Sequence, residues 1–153
     1  MFSTMVATPH MLVGAAVALK ARSVKGGVAI GILSHLALDA VPHSEYRLGS
    51  LGGLVLAADL AGGALAVCKL SDGSEVVLAG ALGGVLPDIL RFAEGVLNMK
   101  VARRVHDPIH ANSDPPLWAG IATQGLSVAT AALVLRTAAG RGQRVQTTVS
   151  PVT

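Results

Sequence analysis

The chain holds one cysteine, two phenylalanines, one tryptophan, one tyrosine and only 14% charged residues in a length of 153. A lone cysteine, Cys68, permits neither an intramolecular disulfide nor a thiolate metal cluster, and it is expected as a buried small apolar side chain. At 3% aromatic content there is no base-stacking platform. The twelve Lys and Arg residues are spread over several loops, so the net charge of +3 gives no reason to expect nucleic acid as a partner. A soluble bundle built on alanine would need more surface charge than this, since soluble proteins carry about a quarter charged residues. Disorder is excluded by a hydrophobic content of 52% and a mean hydropathy of +0.60.

What is abundant is small apolar sequence, including 18 glycines. Uncharged stretches run over Met5–Leu19, Gly26–Val41, Leu48–Leu70, Val76–Leu90 and Leu117–Leu135. None has the alternating polar face of a soluble amphipathic helix. A bilayer core calls for about 20 apolar residues, a length the third and fifth stretches reach and the others approach. The expected fold class is therefore all-α, a polytopic membrane bundle of about five helices. Residues 1–136 would form one integral-membrane domain and 137–153 a flexible polar tail. The first stretch has no basic flank, and Pro9-His10 interrupts its apolar run, so it reads as a retained helix rather than a signal peptide. Gly27-x3-Gly31, Gly49-x3-Gly53 and Gly80-x3-Gly84 put small residues one turn apart, which lets neighbouring helices approach closely in lipid.

Against that background the ionisable residues stand out, because each costs about 2.5–3.5 kcal/mol at mid-helix in a membrane. His10 lies in the first stretch, His35, Asp39 and His43 along the second, Asp59 in the third and Asp88 late in the fourth, while His106 and His110 precede the fifth. Threading the chain back and forth places all eight in the same half of the bilayer. His35, Asp39 and His43, four residues apart, share one helical stripe. Imidazole nitrogen with carboxylate oxygen suits Zn, Mn or Fe, and the lack of thiolates argues against a closed structural zinc site. The expectation is a divalent transition metal, zinc foremost, as one or two ions; two would clamp the attacking and leaving oxygens of an ester. Asp59 has a second reading as acceptor of a helix–helix hydrogen bond, and Asp88, after Pro87, as a turn cap. Asp107, beside His106, and Glu45, at the mouth of the second helix, are candidate catalytic bases. Arg91, Arg103 and Arg104 fall on the same side and are candidates for binding an anionic headgroup, with interfacial anchoring as the alternative.

From Gly31 to His43 the sequence resembles a family of small bacterial inner-membrane proteins regarded as metal-dependent hydrolases. The resemblance rests on Thr8-Pro9-His10, on the Ser-His-x3-Asp-x2-Pro-His block from Ser34 to His43, on Gly84-Val85-Leu86-Pro87-Asp88, and on the loop from His106 to His110, together spanning roughly residues 8 to 112. The last block departs from the family, in which a His-Arg-x-x-Thr-His-Ser run is common, so the ligand there is either His106 or His110. The His35-x3-Asp39 element is also locally similar to zinc-dependent phospholipases C. That similarity implies that His35 and Asp39 bind metal and that the substrate is a phosphoester, such as a lipid headgroup.

The function expected is hydrolysis of a phosphoester or other ester of a lipid or amphiphile, with the bilayer and the substrate as partners and a homo-oligomer left open. The rivals are a metal-ion or proton carrier or channel, and a non-catalytic membrane protein with a structural metal. The resemblance places the chain in the inner membrane. Lys20, Arg22, Lys25, Lys69, Arg136, Arg141 and Arg144 lie on the side away from the histidines, seven against the five of Arg47, Arg91, Lys100, Arg103 and Arg104, which favours a cytoplasmic C-terminus.

Overall fold

A computed structural model describes residues 6–43, 51–97 and 116–148. Among the described residues there are five helices and no strand: α1 Ala7–Ala18, α2 Val24–Asp39, α3 Gly52–Leu70, α4 Glu75–Leu97 and α5 Leu117–Thr148. The short connections are made by local chemistry. Ser23 caps α2, its hydroxyl accepting from the Gly26 N–H at 3.1 Å. Between α3 and α4, Asp72 and Gly73 take the left-handed backbone conformation (φ 50° and 73°), which reverses the chain within a few residues.

The shortest helix is the central one. Twelve-residue α1, about 18 Å long, packs against all four others. It is buried at Ala7, Pro9, His10, Leu12, Gly14, Ala15 and Ala18, positions that surround the helix rather than form one stripe. Leu12 and Ala15 join Val67 of α3, Val77 and Ala81 of α4, and Ala131 and Leu135 of α5 in one apolar cluster.

On the other side of α1 the packing is backbone against backbone. A Cβ on Gly31 would stand 2.9 Å from the Gly84 nitrogen and 3.0 Å from the Gly83 Cα, and one on Gly14 would stand 3.1 Å from the Gly84 Cα. Real side chains never fit such gaps. Two of the three glycine pairs in the sequence, Gly27/Gly31 and Gly80/Gly84, thus meet at the α1–α2–α4 junction. Gly53 has nothing within 4 Å of its missing Cβ, and Gly49 lies outside the described residues.

Two helices contain stretches long and apolar enough to cross a membrane, Gly53–Leu70 and Leu117–Arg141, and only 11% of each is buried. Their outer faces carry exposed leucines, among them Leu54 (70%), Leu65 (63%) and Leu126 (70%). α1 and α2, at 12 and 16 residues, fall short of a full span. The second half of α4 carries Asp88, Arg91 and Glu94.

Residues 137–148, within the stretch expected as a polar tail, continue α5. The reason is propagation: Gly140 and Gly142 each cost about 1 kcal/mol, but an established helix extends through Ala138, Ala139, Arg141, Gln143 and Arg144, all good helix formers, without a new nucleus.

Candidate metal centre

The glycine-lined junction brings together side chains far apart in sequence. His10, His35 and Asp88 are all buried, and each offers one ligand atom, with all three atoms within 4.8 Å of one another. Two ligands of a tetrahedral ion at ~2.1 Å stand about 3.4 Å apart, so the trio is close enough that it could hold one ion. The donor set is nitrogen and oxygen, suited to zinc and its neighbours in the first transition row.

Asp39 completes the group. One turn beyond His35 on α2, it places Oδ2 3.1 Å from His35 Nε2 and Oδ1 3.6 Å from His10 Nε2. The two imidazoles lie with centroids 4.3 Å apart at 40°. On the far side of His35, Nδ1 is 3.6 Å from Asp88 Oδ2. His10 Nδ1 is buried and meets no hydrogen-bond partner among the described residues.

His35 is oriented by backbone. Its Nδ1 lies 2.8 Å from the Gly84 carbonyl, which can only accept, so the proton sits on Nδ1 and Nε2 presents its lone pair. At 3.1 Å, Asp39 Oδ2 presents another. A contact at that distance is satisfied by a proton on either group or by a metal ion bound beside them. A ligating histidine whose other nitrogen donates to a carbonyl is the usual arrangement in metal sites. Pro87 falls in the same turn of α4; without an N–H for the Gly83 carbonyl, it loosens the helix where the Gly84 carbonyl is offered to His35.

His43 and Asp59 take other places. His43 is half-buried, edge-on to His10 with centroids 6.3 Å apart, and its Nδ1 donates to the Val41 carbonyl at 2.8 Å. Asp59, expected among the ligands, instead follows its second reading. Its Oδ2 accepts from the N–H groups of Ala7 and Thr8, and its Oδ1 accepts from the Thr8 hydroxyl at 2.6 Å. The residue before α1, Val6, has no side chain able to cap, so a carboxylate from α3 does so across the helix interface. The positive end of the α1 dipole further favours a carboxylate there.

A shallow, half-open cleft lies beside His10. Pro9, Leu38 and Val41 form its apolar side, His10 and His43 its inner edge, and Thr123, Gln124 and Ser127 of α5 the opposite wall. The Thr123 hydroxyl lies 2.9 Å from the Pro42 carbonyl and ties α5 to the end of α2.

Of the residues singled out in the sequence, His10, His35, Asp39 and Asp88 are brought together, His43 stands at the cleft, and Asp59 acts as a cap. Arg91 is half-buried three residues beyond Asp88. His106, His110, Asp107, Glu45, Arg103 and Arg104 lie outside the described residues. Sequence reasoning missed the Gly84 carbonyl, for which Pro87 was the available signal, and the α5 wall, whose signal was a polar cluster at 123, 124 and 127 in an otherwise apolar helix. No family model, curated protein or solved structure matches the chain.

Proposed function

We propose that this chain is a multi-pass inner-membrane, metal-dependent hydrolase that cleaves an ester of a lipid or other amphiphile, a phosphoester first among the candidates. The observation that carries this reading is the convergence of His10, His35 and Asp88, with Asp39, at one buried point beside an open cleft. Zinc is the metal expected, with His106 or His110 available to complete its ligands. When bound, it supplies Lewis acidity and an activated water at neutral pH. The chain's own residues supply the rest. The Gly84 carbonyl holds His35 in one tautomer. Asp39, facing both imidazoles, keeps their rings in register. His43 stands at the inner edge of the cleft, its Nδ1–H given to the Val41 carbonyl. Arg91, with Arg103 and Arg104, would hold an anionic headgroup, and Glu45 and Asp107 remain candidates for the general base.

Support for the membrane comes from α3 and α5, whose apolar stretches are long enough to span and face outward. The Lys and Arg distribution favours a cytoplasmic C-terminus.

One observation favours a second reading. The 3.1 Å contact of His35 Nε2 with Asp39 accommodates a shared proton as readily as an ion, and a proton path would use the same groups. Elemental mass spectrometry of the purified protein, with His35→Ala and Asp39→Ala alongside, separates the two. One or two equivalents of transition metal, lost in both variants, support the hydrolase. A metal-free protein that takes up neither Zn nor Mn on titration leaves the proton path.

A further inference from the structure

Away from the histidines, a half-open cavity of about 200 Å³ lies among the far ends of α1, α3, α4 and α5. Leu19, Leu70, Val77, Leu135, Ala138 and Ala139 line it with hydrocarbon, and Val77 and Leu135 belong to the apolar core cluster, which forms its floor. It is a separate site: Leu19 is about 14 Å along the chain's helical rise from His10, and Val77 about 16 Å from Asp88. The polar part of the lining comes from the α3–α4 turn, and its serines are taken up by that turn. The Ser71 hydroxyl donates to the Cys68 carbonyl at 3.3 Å, and Ser74 Oγ accepts from the Val77 N–H at 3.5 Å. Cys68 itself is exposed on the outer face of α3 rather than buried as expected. An apolar cavity of about 150 Å³ already takes up benzene, so this one has room for a segment of hydrocarbon chain.

Its position says where that chain comes from. Both apolar stretches end here: Leu70 closes the α3 stretch, and Ala138 and Ala139 fall in the last turn of the α5 stretch. The rim is basic. Lys20 follows Leu19, Lys69 precedes Leu70, Arg136 follows Leu135, and Arg141 stands one turn beyond Ala138, all four exposed. Among the described residues none of the four is in an ion pair. Against them stand only Asp72, exposed in the lining, and Glu75 of the first α4 turn. Hydrocarbon below and excess positive charge above match a ligand with a chain and an anionic head. We propose that the cavity seats an acyl chain of an anionic glycerophospholipid of the bilayer, whose phosphate is held by the basic side chains at the rim. This goes beyond the hydrolase reading: it needs α3 and α5 to span the membrane, but neither a metal nor a reaction.

The test uses the full chain, stripped of lipid in a maltoside detergent, with dioleoyl phosphatidylglycerol or dioleoyl phosphatidylcholine added and bound lipid counted by native mass spectrometry. The expected result is one tightly held phosphatidylglycerol per chain, with phosphatidylcholine needing about tenfold more or worse. Lys69→Gln and Arg136→Gln should each weaken phosphatidylglycerol by about fivefold, the effect of one basic residue at a lipid surface. Lys25→Gln, in the first turn of a helix that contributes nothing to the lining, should leave it unchanged. Ala138→Leu, which fills the cavity, should weaken it severalfold without lowering the unfolding temperature. Equal binding of the two lipids, a loss on Lys25→Gln as large as on Arg136→Gln, or binding indifferent to Ala138→Leu overturns the proposal. Flotation with phosphatidylcholine vesicles tests the spanning helices separately: a chain that stays out of the vesicles overturns both them and this site. Selective phosphatidylglycerol binding by a chain that takes up no metal keeps the site and overturns the hydrolase.

Discussion

His35 donates its Nδ1 proton to the carbonyl of Gly84 at 2.8 Å, and that glycine is also packed directly against the backbone of α1. One residue therefore sets both the helix packing and the tautomer of the central histidine. A Cβ at position 84 would stand 3.0 Å from the His10 carbonyl carbon, and backbone cannot retreat from it cheaply.

Gly84→Ala is accordingly expected to force α1 and α4 apart. Overpacking of this kind costs about 1–3 kcal/mol, and the movement separates His10 of α1 from Asp88 of α4. The variant should unfold at lower temperature and bind less metal, whereas Gly53→Ala, at a position with open space, should leave both unchanged. Thermal unfolding and elemental analysis of the two variants provide the check.

Asp59 and Asp88 are both aspartates within apolar helices, and the structure separates their roles. Asp59→Asn removes the charge but keeps an acceptor for the N-terminus of α1. It should cost at most about 1 kcal/mol of stability and retain the metal. Asp88→Asn should lose most of the metal while remaining folded. If Asp59→Asn strips the metal as completely as Asp88→Asn, the assignment of Asp59 as a cap is wrong.

This pair marks how far the sequence could be read. His35, Asp39 and Asp88 were legible because charged or imidazole side chains in apolar segments need a reason, and the i, i+4 spacing of His35 and Asp39 survives as a 3.1 Å contact. Threading the chain back and forth also brought His10 to them correctly. Asp59 belongs to the same half of the bundle, but whether a carboxylate faces a metal or a helix end depends on which helix it abuts, and composition does not carry that. The Gly80/Gly84 pair predicted close approach; that the Gly84 carbonyl would also serve His35 follows from the rotation of α4 about its axis. The continuation of α5 past residue 136 was hidden because an established helix tolerates glycines that would prevent a new one from forming.

Metal binding by two imidazoles and two carboxylates competes with protons at every ligand. Affinity should therefore fall as pH is lowered and return on neutralisation. Zinc titration at several pH values, read by calorimetry, measures this. Affinity that stays flat over the whole acid range in which the protein remains folded would argue that the imidazoles are not ligands.

The outward faces of α3 and α5 make the membrane assignment directly testable. Leu54 and Leu126 are each 70% exposed, and neither is in the apolar core cluster, so a charge there disturbs little if the surroundings are water. In a bilayer the same charge costs about 2.5–3.5 kcal/mol near the middle of a span and less towards its ends. Leu126, ten residues into the Leu117–Arg141 stretch, is the more central of the two. Leu126→Arg should therefore reduce the membrane-integrated fraction more than Leu54→Arg, which lies one residue from the start of the α3 stretch. Carbonate extraction of membranes followed by immunodetection reads the difference. Equal, undiminished recovery of both variants in the soluble fraction would mean that these leucines face water, and the membrane assignment would fall.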